Sequence, residues 1–238
     1  MLSTRGNQIT WLGHSAFRIT TPSGKVVLID PWLEGNPACP AALKNPARVD
    51  VILITHGHSD HVGDAVPLGL RHKPQIFYMY EISVWLSSKG LSNVTGMSKG
   101  GTVKTGEIEA TMTHAIHSSS TEDGGQVVYM GEPGGYIVRL PGGLTIYHAG
   151  DTGIFGDMKL IGELYSPELA CLPIGDLYTM GPREAAHAIH LLGVHHVIPM
   201  HYGTFPALTG RPEALRELTK DIGGLEIYAL KPGESLGP

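Results

Sequence analysis

The sequence predicts a layered α/β fold, and three observations carry that reading. Short apolar runs closed by Gly, Pro, Asn or Asp recur through the first two thirds of the chain and read as buried strands. Helical patterns are interspersed among them, the clearest over Pro182–Leu192. An apolar share of 42% in 238 residues suffices for a large core in one undivided domain, residues 1–238, without a staple.

The elements follow in order. Ile9–Leu12 and Ala16–Ile19 flank Gly13-His14-Ser15 and read as a strand pair or one bulged strand. Lys25–Ile29 is apolar and ends at Asp30-Pro31. Trp32–Pro46 is too rich in Pro, Gly and Asn for either period and reads as a loop. Asp50–Thr55 is the next buried strand, and Asp64–Leu70 a short helix limited by Pro67 and Gly69. Gln75–Met79 and Ile108–Thr113 are further strands. Gln126–Met130 and Gly135–Leu140 read as antiparallel hairpin material. Leu144–His148 and Leu169–Ile174 are strands. Pro182–Leu192 starts with Pro in the first turn, Glu184 close behind, and stops at Gly193. Val197–Met200 is a strand, Arg211–Ile222 an amphipathic helix, and Glu226–Leu230 a last strand.

Charge and cysteine usage exclude several classes. A net charge of -5 argues against a whole-surface nucleic-acid binder. The N-terminus lacks the apolar segment of a secretory signal, and no stretch approaches a membrane span. The two cysteines, Cys39 and Cys171, are far apart and read as incidental thiols of a reduced compartment. The expectation is a cytoplasmic protein acting on a small molecule, without membrane or nucleic-acid partners.

Chemistry concentrates where strands end. Val51–Ile54 runs into Thr55-His56-Gly57-His58-Ser59-Asp60-His61. His114 and His117 follow Ile108–Thr113, His148 and Asp151 follow Leu144–Tyr147, and His201 follows Val197–Met200. Independent core histidines would be scattered along strands, whereas these gather at strand exits, where a scaffold brings distant residues together. Imidazole and carboxylate at such spacing point to a metal.

These motifs, with Asp30-Pro31-Trp32, Gly13-His14-Ser15, Gly150-Asp151-Thr152 and His201-Tyr202-Gly203-Thr204-Phe205-Pro206, resemble the metallo-β-lactamase superfamily over nearly the whole chain. Within it the chain is most similar to small single-domain metal-dependent hydrolases, the UPF0173 group. That group is related to ascorbate-phosphate lactonases and phospholipase-D-type members. The resemblance implies an αβ/βα four-layer sandwich, with two mixed sheets face to face and helices outside. It also implies two divalent metal ions, one on His56, His58 and His117, the other on Asp60, His61 and His201, with Asp151 bridging. Such ligands suit zinc first, and also manganese, iron or nickel.

His114 rivals His117 as ligand, and His148 reads as structural rather than ligating. Asp30 stays open between fixing a histidine tautomer and capping a strand, and His14 between facing the cleft and not. His187 and His190 read as surface histidines of their helix.

The implied reaction is attack by a metal-bound, bridging hydroxide on an ester-type bond, phosphodiester or lactone. Asp60 would orient the nucleophile, His14 would act in the cleft, and Tyr202 would donate to the leaving group or oxyanion. The loops Trp32–Pro46 and Ser118–Gly125 would wall the cleft. A redox role normally needs a flavin domain, which is absent from the chain. The non-enzymatic alternative is a metal-binding or regulatory protein of the same fold with little activity, whose expected mark, a broken ligand set, is missing. Exposed strand edges of such folds can pair into homo-oligomers, though no residue points to an interface.

Overall fold

Apolar strands buried on both faces build two sheets back to back. The computed structural model describes residues 1–238. In the first half, β1 (Gln8–Trp11), β2 (Phe17–Thr20), β3 (Val26–Ile29) and β4 (Val51–Leu53) lead into α1 (Ser59–Val62) and α2 (Ala65–His72). β5 (Gln75–Met79), α3 (Tyr80–Ser88) and β6 (Val94–Met97) complete it. The second half carries β7 (Thr102–Thr105), β8 (Ile108–His114), β9 (Ser120–Asp123), β10 (Gln126–Tyr129), β11 (Gly134–Arg139) and β12 (Thr145–His148). There follow α4 (Met158–Tyr165), β13 (Leu169–Pro173), α5 (Pro182–Leu192), β14 (His196–Met200), α6 (Pro212–Leu218), β15 (Glu226–Ile227) and β16 (Ser235–Leu236).

One seven-stranded sheet has the order β16-β1-β2-β3-β4-β5-β6, the other β15-β14-β13-β12-β11-β8-β7. β3 through β6 run parallel, as do β12 through β15, and the remaining neighbours are antiparallel. Alternation along the strands defines the layers. In β11, Tyr136 and Val138 join the core between the sheets, while Ile137 faces the helices. In β13, Leu169 and Cys171 point inward and Ala170 and Leu172 outward, against the side chains of α4, α5 and α6. Helices α2 and α3 cover the first sheet with Leu68, Ile82 and Leu86. The result is the four-layer αβ/βα sandwich.

Within the inter-sheet core, the buried Tyr136 hydroxyl lies 3.0 Å from the carbonyls of both Ile54 and Phe77. It satisfies a polar group and ties the second sheet to the first. Helix α5 spans Pro182–Leu192, with Pro at its start and Gly193 in a left-handed cap at φ 62. Glu184 Oε2 accepts from the N–H of Gly181 at 3.2 Å, closing its first turn.

Gln126–Tyr129 and Gly134–Arg139 are antiparallel strands, as expected. The first folds back on β9, with Val127 opposite Glu122, because the tight turn at Gly124 and Gly125 closes a separate ribbon. Two other expectations change. Half of the expected Ser118–Gly125 loop is therefore strand. The last strand is short, since only Glu226 and Ile227 find partners on β14. Both cysteines are buried and unbonded, and no helix is long and apolar enough to cross a membrane.

Candidate metal centre

Strand direction brings the chemistry to one edge. The C-terminal ends of β3 and β4 deliver Asp30 and His56–His61, and those of β12 and β14 deliver Asp151 and His201. β8 runs in the same sense as β12, because both are antiparallel to β11, so His117 arrives at this edge too. The β1–β2 turn adds His14. Crevices beyond the carboxyl ends of parallel strands are where open α/β sheets gather ligands.

Three overlapping groups of potential ligand atoms share this edge. His56, His58 and His117 form one, Asp60, His61, His201 and His14 another, and His56, His61 and Asp151 a third that joins the two. Asp151 stands between: its Oδ2 lies 2.9 Å from His201 Nε2, 3.2 Å from His61 Nε2 and 3.7 Å from His117 Nε2. Its Oδ1 accepts from Ser15 Oγ at 3.3 Å. His14, His56, His61, Asp151 and His201 are buried, whereas His58, Asp60 and His117 are half-buried and form the mouth.

The surrounding hydrogen bonds decide which ring nitrogens are free. Asp30 accepts from the Thr55 N–H at 2.8 Å, from Thr55 Oγ1 at 2.7 Å and from His61 Nδ1 at 2.8 Å. That contact fixes a proton on His61 Nδ1 and turns Nε2 toward Asp151. Thr55 Oγ1, its own proton committed to Asp30, accepts from His56 Nδ1 at 3.0 Å. The His56 lone pair is thereby left on Nε2, 3.1 Å from His58 Nδ1. His58 Nε2 meets Ser118 Oγ at 3.3 Å. One carboxylate and one hydroxyl thus orient two rings on two sides of the centre.

Electrostatics agrees with a cation here. Burial holds His56 well below the ordinary imidazole range, lowers His58, and brings His14 and His117 each to about 4. These rings are neutral, the state that ligates metal. Burial would raise Asp151, but His201 and His61 hold it well below the usual carboxylate range. Burial also pulls His61 down, yet Asp151 and Asp30 outweigh it and raise that ring well above its usual range. The field that draws a proton onto His61 favours a metal cation in the same place.

The donor set fits such an ion. His61 Nε2 and His201 Nδ1 are buried without a hydrogen-bond partner, and a buried polar atom without a partner is costly. Imidazole nitrogens and carboxylate oxygens, without thiolate, match borderline divalent ions such as zinc, manganese, iron or nickel. Backbone strain gathers here as well, with His14 at φ 55, Asp30 at φ 48 and His201 at φ 55. Non-glycine residues in that region cost of order 1 kcal/mol each and persist where the surroundings impose them.

The structure separates the rival residues. His114 is exposed and contacts Lys99 Nζ at 3.0 Å, away from the ligand sets, while His117 joins them. His148 spends both nitrogens on backbone, donating from Nε2 to Ser15 O at 3.0 Å and accepting at Nδ1 from the Gly150 N–H at 3.2 Å. It shapes the turn that presents Asp151. His187 and His190 are exposed on α5.

Tyr202 has contacts outside the ligand groups. Its ring stacks on Trp11 at 5.3 Å, and its charged neighbours are Glu213, Arg216 and Arg211. It shares a surface pocket with Trp11, Arg211, Pro212 and Glu213. The aromatic rings that do flank His14 are Trp32 at 5.2 Å and Phe205 at 5.6 Å. Thr55, Ser15 and Thr204 are further participants that residue spacing does not reveal, since each contacts a residue far away in the chain.

Comparison with known proteins agrees with this geometry. Residues 8–201 match the family described as the Beta-lactamase superfamily domain. A UPF0173 metal-dependent hydrolase from Koribacter versatilis is 52% identical over 98% of this chain and 99% of its own. Another from Rubrobacter xylanophilus is 52% identical over 98% and 97%. Igni18, a metallo hydrolase from Ignicoccus hospitalis, superposes with a TM-score of 0.85 at 36% identity, covering 97% of both chains. At such identity over nearly its full length, the chain belongs to the UPF0173 metal-dependent hydrolase family of the metallo-β-lactamase fold.

Proposed function

We propose that this chain is a metal-dependent hydrolase with two divalent ions, zinc first among them, that cleaves an ester-type bond of a small molecule, phosphodiester or lactone. The observation that carries this reading is the pair of ligand sets joined by one buried carboxylate, Asp151. His56, His58 and His117 would hold the first ion, and Asp60, His61 and His201 the second. When bound, such ions supply an acidified water and positive charge beside the reacting carbonyl or phosphoryl oxygen.

The protein's own groups do the rest. His14 Nε2 donates to Asp60 Oδ2 at 3.0 Å, which leaves Oδ1 for the second ion and fixes the carboxylate that would orient the attacking water. Burial would raise Asp60, but the His14 hydrogen bond and the charge of His61 keep it below the usual carboxylate range, so it stays ionised. Trp32 and Phe205, 5.8 Å apart, bound the cleft beside His14 and limit water there. A cytoplasmic setting is consistent with two buried, unbonded thiols.

Metal content measured by mass spectrometry on protein prepared without chelator tests the reading, alongside His58→Ala. About two equivalents are expected in the wild type, with a sharp fall in the variant and turnover of chromogenic lactones or phosphodiesters. Full metal without turnover of either class would favour the non-catalytic alternative. No uptake of zinc or manganese would refute the mechanism.

A further inference from the structure

Asp60 owes its orientation to a chain of contacts that reaches across the molecule. His14 lies in the β1–β2 turn of the first sheet, fully buried, in a left-handed conformation. Its Nε2 is 3.0 Å from Asp60 Oδ2, and its Nδ1 is 3.0 Å from Thr204 Oγ1. A carboxylate only accepts, so Nε2 carries the proton, and a neutral ring then accepts at Nδ1 from the Thr204 hydroxyl. The backbone repeats the link, since the His201 N–H donates to the His14 carbonyl at 3.0 Å, as does Trp11 Nε1 at 2.9 Å. The loop that presents His201 thus also clamps the His14 turn.

We propose that Thr204 is a positioning residue that pins the His14 ring, so that Nε2–H holds one oxygen of Asp60 and leaves the other for the second metal position. The proposal rests on the metal-centre reading above. Its physical basis is that the imidazole has two ways to fail without the hydroxyl. The ring can rotate away from Asp60, or Nε2 can lose its proton and turn toward the nearby ligand atoms of His61 and His201, with which it already clusters. Thr204 resists the first by fixing Nδ1. Against the second, Asp60 Oδ2 accepts from Nε2–H only while the ring is held in that orientation. Asp60 is half-buried at the mouth, so its own surroundings constrain it less than those of the buried ligands.

Thr204→Val keeps the shape of a half-buried loop residue and removes only the hydroxyl; Thr204→Ser restores it. Two readouts test the idea on the full chain. In the metal-free protein, nitrogen NMR of the His14 ring is expected to show Nε2 protonated in wild type and Thr204→Ser, and an averaged signal in Thr204→Val. In cobalt(II) titrations followed by visible absorption, Thr204→Val is expected to bind the first equivalent normally and the second at least about tenfold more weakly, with Ser restoring it. An unchanged ring signal in Thr204→Val overturns the proposal, and so does equal weakening of both equivalents. A wild type that takes up no second equivalent refutes the two-metal reading instead, while the ring signal still decides the role of Thr204.

Discussion

Asp30 shows how much one side chain can decide. Fully buried in a left-handed conformation, it accepts from a backbone N–H, a hydroxyl and an imidazole. Asn at this position could offer acceptors to only some of these donors and would point an amide N–H at another. His61 would then be free to carry its proton on Nε2, the nitrogen that faces Asp151. Asp30→Asn is therefore expected to weaken metal binding by about 10–100-fold, measured by competition with a zinc indicator. Unchanged affinity would refute the tautomer role. The candidate ligands were legible in the sequence because six strand-exit residues and a seventh in a Gly-Asp-Thr turn form a dense pattern. Thr55 was not legible as a participant, because its importance comes from the parallel register that places β4 beside β3 and so Thr55 beside Asp30. Nor does the adjacency of Tyr202 to His201 disclose that its ring stacks on Trp11.

At the scale of elements, the loops after the parallel strands are held by sterics as much as by hydrogen bonds. Gly175 follows β13, and a Cβ there would lie 2.0 Å from the His201 carbonyl oxygen, a backbone atom that cannot move aside alone. Gly175→Ala is expected to cost about 3 kcal/mol and to displace His201, read as a lower urea midpoint together with weakened metal uptake. Normal values of both would show that the loop yields. Asp50, at the start of β4, offers a pH test remote from the metal centre. It accepts from the Val26 N–H at 2.9 Å and from Arg48 and Lys25 at 2.7 and 3.2 Å. Burial would raise its pKa, but these partners hold it at about 2, below the reference value of 3.8. The carboxylate therefore stabilises the fold fully above pH 3.8, and this contribution disappears as the pH falls toward 2. The displacement corresponds to about 2.5 kcal/mol unscreened; with Arg48 and Lys25 half exposed, about 1 kcal/mol is expected. Asp50→Asn should thus unfold at lower urea than wild type at pH 7 and match it near pH 2, and a gap independent of pH would contradict this. The strands were legible in the sequence where apolar runs met turn residues. Of the β9–β10 ribbon only the second strand was legible, because β9 reads Ser-Thr-Glu-Asp and the pairing is chosen by a Gly-Gly turn rather than by burial.

The whole molecule is two half-sandwiches whose facing sheets meet at the centre. His14, Asp30 and the His56–His61 segment belong to the first sheet, while His117, Asp151 and His201 belong to the second. An ion bound by residues of both sheets therefore staples the halves, and it does so only in the folded state, since unfolding separates residues that come from the first and second halves of the chain. Free energy of binding then adds to the free energy of folding, by about 2.7 kcal/mol per site when free metal is at a hundred times its dissociation constant. The same ion removes the cost of the unpartnered His61 Nε2 and of ligand nitrogens converging at close range. Metal is thus expected to raise the thermal midpoint in a concentration-dependent way, and a chelator to lower it, with one cooperative transition throughout. Disrupting a ligand from either sheet should abolish the same part of that increase: His58→Ala for the first sheet and His117→Ala for the second, both acting on one ion. If His58→Ala removes the metal-dependent rise while His117→Ala leaves it whole, the ion is held by the first sheet alone and the halves are joined only by their apolar core.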